Sequence, residues 1–112
     1  MTTALQDTVH LLENIQFVSG KPAKSQIASI QGVSFIKIAL KAGDELPSHH
    51  VNQAAFAVLL QGRATFPIDG KSHAVVAGSF VEIPKGAEHS IFAEEDSVFL
   101  VGIMGAVSEG EC

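Results

Sequence analysis

The 112-residue chain predicts an all-β fold, a barrel or sandwich of short strands. Three observations carry that expectation. Runs rich in β-branched and aromatic residues, such as Val33–Leu40 and Ser97–Ile103, recur along the chain and suit a pleated, half-buried surface. Turn signals separate them roughly every 8–12 residues, the spacing of sheets whose strands double back on one another. Asp69-Gly70 is the sharpest of these signals, because both central residues of a type I′ hairpin turn need positive φ.

Taken in order, the elements are uneven in clarity. Residues 1–20 admit two readings: LQDTVHLLENIQF as a short amphipathic helix, or Val9–Leu12 as an edge strand. His10, in this stretch, reads as a surface or packing side chain. Gly20-Lys21-Pro22 is a turn, since proline lacks an amide donor and glycine tolerates positive φ. Gln26–Ile30 is a strand and Gln31-Gly32 turns the chain. In Val33–Leu40, Ile36, Ile38 and Leu40 share one face, Phe35 and Ala39 the other, and Lys37 is the exception on its face. Such a strand has core on one side and a cavity or a partner on the other. Lys41–Ser48 reads as a loop carrying Gly43 and Pro47. QAAFAVLLQ, from Gln53 to Gln61, is helical by local propensity, although so short a helix is marginal and no capping pair introduces it. Gly62 permits a tight turn. Arg63–Ile68 is a strand interrupted at Pro67, which belongs at an edge or a bulge, and His73–Val76 pairs back across Asp69-Gly70. Gly78 turns into Phe80–Ile83, and Pro84-Lys85-Gly86 turns again. Ser90–Phe92 and Ser97–Ile103 flank the acidic turn Glu94-Glu95-Asp96. Lys85, Glu88 and those three acids read as solvated turn charges, and Gly105–Cys112 as a frayed tail.

Composition narrows the class. The chain is 46% hydrophobic and 17% charged, which describes a folded chain with one core. One domain over residues 1–112 is expected, with no linker, repeat or low-complexity run. The net charge of −5 argues against a nucleic-acid partner, because phosphate binding needs a basic surface. No basic cluster suits an anionic membrane. MTTALQDTVHLLENIQ has neither a basic n-region nor a long apolar run, so it reads as neither signal peptide nor membrane span. The one cysteine, Cys112, has no intrachain partner for a disulfide. A cytoplasmic protein is expected. Phosphate-loop and dinucleotide glycine motifs are absent. Ser48 beside His49 is no catalytic pair, since neighbours in an extended chain point apart.

Two stretches, GDELPSHHVNQAAFAVLLQG at 43–62 and GSFVEIPKGAEH at 78–89, resemble the paired motifs of the cupin superfamily. Gly43, His49 and Gly62 match the first motif, with Val51 and Ala55 standing where the family has a second His and a Glu. Gly78, Pro84, Gly86 and His89 match the second, with Ala93 in place of its Asn. The resemblance covers roughly residues 27–104. It implies an RmlC-like jelly-roll barrel, the double-stranded β-helix, and makes 53–61 a strand rather than a helix. It further implies His49 and His89 as metal ligands, since three His and one Glu hold a transition metal in metal-binding members.

If His49 points into the barrel, alternation brings Val51, Gln53 and Ala55 with it and sends His50 and Asn52 outward. His89 brings Ile91 and Ala93. The expected site is an apolar cavity bordered by His49, Val51, Gln53, Ala55, His89 and Ile91, where two imidazoles and an amide meet. With two ligand positions lost, a divalent transition metal would be held weakly at most. Gln53, His50 or a carboxylate such as Glu82 could complete it, the last giving a two-His-one-carboxylate triad. Three roles fit: a module that holds a small molecule, a metal-dependent enzyme of oxygenase or isomerase type, and a barrel that serves self-association. The missing ligands favour the first. The family's His–Tyr epimerase chemistry is not expected of a chain with no Tyr, and no catalytic residue is assigned. The two apolar faces of Val33–Leu40 lead to the expectation of a homodimer.

Overall fold

The computed structural model describes residues 8–50 and 52–105. Among them are nine strands: β1 (Ala23–Ile30), β2 (Val33–Leu40), β3 (Glu45–His49), β4 (Ala55–Gln61), β5 (Arg63–Thr65), β6 (Ala74–Val76), β7 (Phe80–Ile83), β8 (His89–Ala93) and β9 (Ser97–Ile103). They form a five-stranded sheet in the order β1-β2-β9-β4-β7 and a four-stranded sheet in the order β3-β8-β5-β6, with antiparallel pairing throughout. The all-β jelly-roll expectation holds. No helix among the described residues is long and apolar enough to cross a membrane.

The core lies between the inner faces of the two sheets. Ile36, Ile38 and Leu40 on β2, Ala55, Ala57 and Leu59 on β4, and Phe99 on β9 meet Leu46, Ala64, Val75, Ile91 and Ala93 from the smaller sheet. The period-2 alternation of β4 is visible in its burial, with Ala55, Ala57 and Leu59 buried and Phe56, Val58 and Leu60 half-buried. That settles 53–61. Helical propensity is worth only tenths of a kcal/mol per residue, whereas placing three side chains of β4 in a two-sheet core gains roughly 1.5–3 kcal/mol for the leucine alone. Four of the inward positions are alanines, at 55, 57, 64 and 93, and short side chains there leave room inside the barrel.

The hairpin forms as expected: Asp69 has φ 49 and Gly70 φ 82, and Ile68 and Lys71 exchange both backbone hydrogen bonds across them. β2, β7 and β9 have the expected bounds. β1 begins earlier than expected, immediately after Pro22. The 63–68 strand shortens to β5, and only Ile68 resumes pairing beyond Pro67, as an isolated bridge.

Three expectations are corrected. Residues 8–20 form neither helix nor strand. The Glu13 amide donates to the His10 carbonyl at 3.3 Å, and Asn14 at φ 55 takes the chain out of the helical region. This segment crosses the outer face of the larger sheet, where Lys37 Nζ donates to the Leu11 carbonyl at 3.1 Å. The Lys41–Ser48 loop contains β3, because Leu46 is buried opposite Ile91. The acidic turn is not merely solvated. Asp96 Oδ1 accepts from the Ala42 amide at 2.8 Å, Glu94 Oε2 accepts from Thr65 Oγ1 at 2.6 Å, and Glu95 pairs with Arg63 at 3.0 Å. Glu88 likewise accepts from Ser48 Oγ at 2.9 Å.

Candidate functional site

His49 reaches the interior through an irregularity in β3. Leu46 pairs with Ile91 and His49 with His89, so three steps along β3 match two along β8. A one-residue offset moves a side chain to the opposite face of a sheet. Without it, Ser48 would stand opposite His89 and His49 would face away. Pro47, with no amide to give the ladder, sits at the offset. Its carbonyl then accepts from His49 Nδ1 at 3.0 Å. His49 and His89 thus become a directly opposed cross-strand pair, with ring centroids 4.4 Å apart and planes at 54°.

Each ring is held the same way. His89 Nδ1 donates to the Ala87 carbonyl at 3.2 Å. A carbonyl oxygen only accepts, so each neutral ring carries its proton on Nδ1 and presents a lone pair at Nε2. His89 is buried at 7% exposure, and Phe66 lies nearly parallel to it at 6.2 Å. Burial holds the His89 pKa below 6.5; the Ala87 hydrogen bond opposes this, His49 adds to it, Asp69 opposes it, and His50 adds to it. His89 therefore resists protonation where an ordinary histidine accepts it.

The pair borders a cavity with about 40 Å³ open to water centres, lined otherwise almost wholly by aliphatic side chains. His49, His89, Ala55 and Ile91, expected at the site, all line it. Val51 lies outside the described residues. Gln53 is half-buried beside Gly105 and is not among the described side chains that line the cavity, because a bend at 52–53 breaks the alternation that would have carried it in. His50 is exposed. Glu82 is exposed opposite Phe56 on the outer face, so it cannot join the pair. The sequence reading missed the rest of the lining, Lys24, Ile36, Ile38 and Phe66 among it. Of these, Ile36 and Ile38 were legible as inward residues, while Lys24 lies before the stretch that the motif resemblance covers.

The model of the cupin domain matches residues 36–103. The chain belongs to the cupin family. Comparison with curated proteins gave no match. Solved structures similar to this cupin include an RmlC-like cupin protein from Desulfovibrio desulfuricans, with TM-score 0.83, 24% identity, and 92% of this chain and 100% of that one covered. A conserved protein of unknown function from Streptococcus pyogenes aligns with TM-score 0.78 and 20% identity over 91% and 90% of the two chains. A salicylate 1,2-dioxygenase from Pseudaminobacter salicylatoxidans aligns with TM-score 0.71 and 14% identity, over 77% of this chain and 26% of that one. At such identities the likeness speaks for the fold.

Cupins often bind metals, and the donor set here can be set against that. No group of three or more His, Cys, Asp or Glu converges among the described residues. Ala55, at the position of the family's glutamate, offers a methyl group to the cavity. Two imidazole lone pairs without a carboxylate do not fit a resident metal of the three-His-one-Glu kind.

Proposed function

We propose that this cupin is a binding module that holds a small molecule in the barrel cavity, with no resident metal. The observation that supports it most is the opposed His49–His89 pair, 4.4 Å apart, set in a cavity whose other lining side chains are apolar except Lys24. Apolar walls with a few convergent polar atoms are the usual make-up of a small-molecule site. The ligand is small and largely apolar, and it carries one or two hydrogen-bonding groups that meet Nε2 of the two rings. The second reading is a metal-dependent enzyme of oxygenase or isomerase type. What favours it is that both Nε2 atoms are free to donate a lone pair to a divalent ion. With only two protein ligands such an ion would be weakly held and completed by water.

One set of measurements tests the choice. Elemental analysis of protein purified without an affinity tag is expected to find no stoichiometric transition metal. The double variant His49→Ala with His89→Ala should fold and lose ligand binding. Protonation removes the Nε2 lone pair, so binding of a hydroxyl donor should weaken as pH falls below about 6. A tightly held stoichiometric metal, or a double variant that binds like wild type, would sink this reading.

We further propose a cytoplasmic homodimer. The outer face of the larger sheet carries Phe35, Phe56 and Phe80 in a row, with centroid spacings of 6.3 and 5.4 Å. Phe80 is 63% exposed and Ile30 57%, and large apolar side chains exposed on a sheet face suit an interaction surface. A second copy presenting the same face would cover it. Light scattering at micromolar concentration should return twice the chain mass for wild type and the monomer mass for Phe80→Asp. A wild-type monomer mass would rule the dimer out. The net charge of −5 leaves nucleic acid and anionic membranes off the list of partners.

A further inference from the structure

We propose that the ligand is a small amphipathic anion, its carboxylate paired with Lys24 at the cavity rim and its hydroxyl donating its one proton to Nε2 of His49 or of His89. This inference rests on the binding-pocket reading above and names the ligand class. Lys24 lies on β1, one of the two edge strands of the larger sheet, and registers with Ile38. Ile38 is a buried core residue, and directly opposed residues share a face. Lys24 therefore shares the inner face, and it lines the same cavity as the two histidines. It is exposed to water on an edge strand, which places it at the cavity rim.

The electrostatic pattern along the cavity is one-sided. Lys24 is the one Lys, Arg, Asp or Glu among the described residues lining it. Among the described residues the ion pairs join Arg63 to Glu94 and Glu95, and none of them involves Lys24. A lysine in this setting lays its stem on apolar surface and keeps its ammonium at the wet edge. The histidine end is opposite in character. Both Nδ1 protons are committed to backbone carbonyls, so the two neutral rings present acceptors side by side. Two acceptors repel an anion and call for a donor. A ligand that satisfies both ends has its negative group at Lys24 and a hydroxyl at the imidazoles. The rest of the lining is mainly aliphatic, Ile36, Ile83 and Ile103 among it, and calls for an apolar link. A space of about 40 Å³ for water centres holds roughly three or four water-sized groups, which limits the enclosed part to a few non-hydrogen atoms.

Calorimetric titration of three matched probes tests this: 3-hydroxybutyrate, 3-hydroxybutanamide and butyrate. The acid is expected to bind wild type about tenfold more tightly than the amide, the scale of one charge-assisted contact at a rim. Lys24→Gln should erase that preference, and Lys24→Arg should keep it. Raising the salt should weaken the acid on wild type and leave Lys24→Gln unchanged. Butyrate, lacking the hydroxyl, should bind more weakly than 3-hydroxybutyrate. If Lys24→Gln binds the acid as well as wild type while the His49→Ala, His89→Ala double variant loses it, the pocket stands and the ligand class is wrong. If neither variant changes binding, or no probe binds wild type, both fail.

Discussion

Phe66→Ala should destabilise the protein by about 3–5 kcal/mol, the range for deleting a buried aromatic ring. Phe66 is 1% exposed. Its ring meets Phe99 edge-on at 6.0 Å, and it lies almost parallel to His89 at 6.2 Å. The residue is fixed from both sides of its backbone, since its amide donates to the His73 carbonyl at 2.8 Å and its carbonyl accepts from the His73 amide at 3.2 Å. The strand pair cannot collapse to fill the space, so a cavity term adds to the lost burial. Domains of this size have only about 5–15 kcal/mol of stability in total, so the shift in guanidinium midpoint should be large. A loss below about 1 kcal/mol would show that the ring is not packed as described.

The same substitution tests the electrostatics of the site. Burial is the largest cause of the lowered His89 pKa, and Phe66 supplies part of that burial. In Phe66→Ala the His89 pKa should rise toward 6.5, as followed by histidine ring resonances. The linkage has a definite sign. A histidine whose folded pKa is depressed binds fewer protons in the native state than in the unfolded state. Its contribution to stability is therefore complete above about pH 6.5 and is lost as pH falls through the native value. That window should narrow in Phe66→Ala.

How far the sequence reaches can be judged from particular residues. The turn spacing and Asp69-Gly70 reveal the all-β architecture because local backbone chemistry dictates them. The strand at 55–61 is illegible to propensity, since alanine and leucine are placed there by the barrel's interior and not by the backbone. β3 is hidden for a similar reason. Its pairing with β8 is long-range, and the offset at Pro47 that turns His49 inward has no periodic signature. His49 and His89 are readable from the motif spacing, and the structure brings them together. Gln53 fails because alternation does not survive the bend at 52–53. Lys24 is invisible from sequence because only the register with Ile38 gives it a face. The acids at 94–96 look like solvent charges until the fold brings Arg63, Thr65 and the Ala42 amide to them.

Gly62→Ala should cost about 3 kcal/mol or more, and far more than Gly86→Ala. Both glycines have positive φ, 100 and 80 respectively, so each substitution carries the backbone strain of a left-handed alanine, about 1 kcal/mol or somewhat above. The difference is what the new methyl meets. At Gly86 no atom lies within 4 Å of the added Cβ. At Gly62 it would collide with the Asp96 carbonyl oxygen and lie 2.5 Å from Ser97 Oγ and 2.8 Å from Ser97 Cα. Those atoms cannot step aside. Ser97 is fully buried and its hydroxyl donates to the Glu95 carbonyl at 2.8 Å. The amides of Glu94 and Glu95 both donate to the Arg63 carbonyl, at 2.9 and 3.1 Å, and Asp96 is tied to the Ala42 amide. Relief would require moving the 94–97 turn away from the β4–β5 junction, and overpacking against fixed backbone adds about 1–3 kcal/mol to the strain. Chemical denaturation of the two variants beside wild type measures the gap. Equal losses at the two positions would mean that the turn yields, and that the close approach at Gly62 is not what fixes a glycine there.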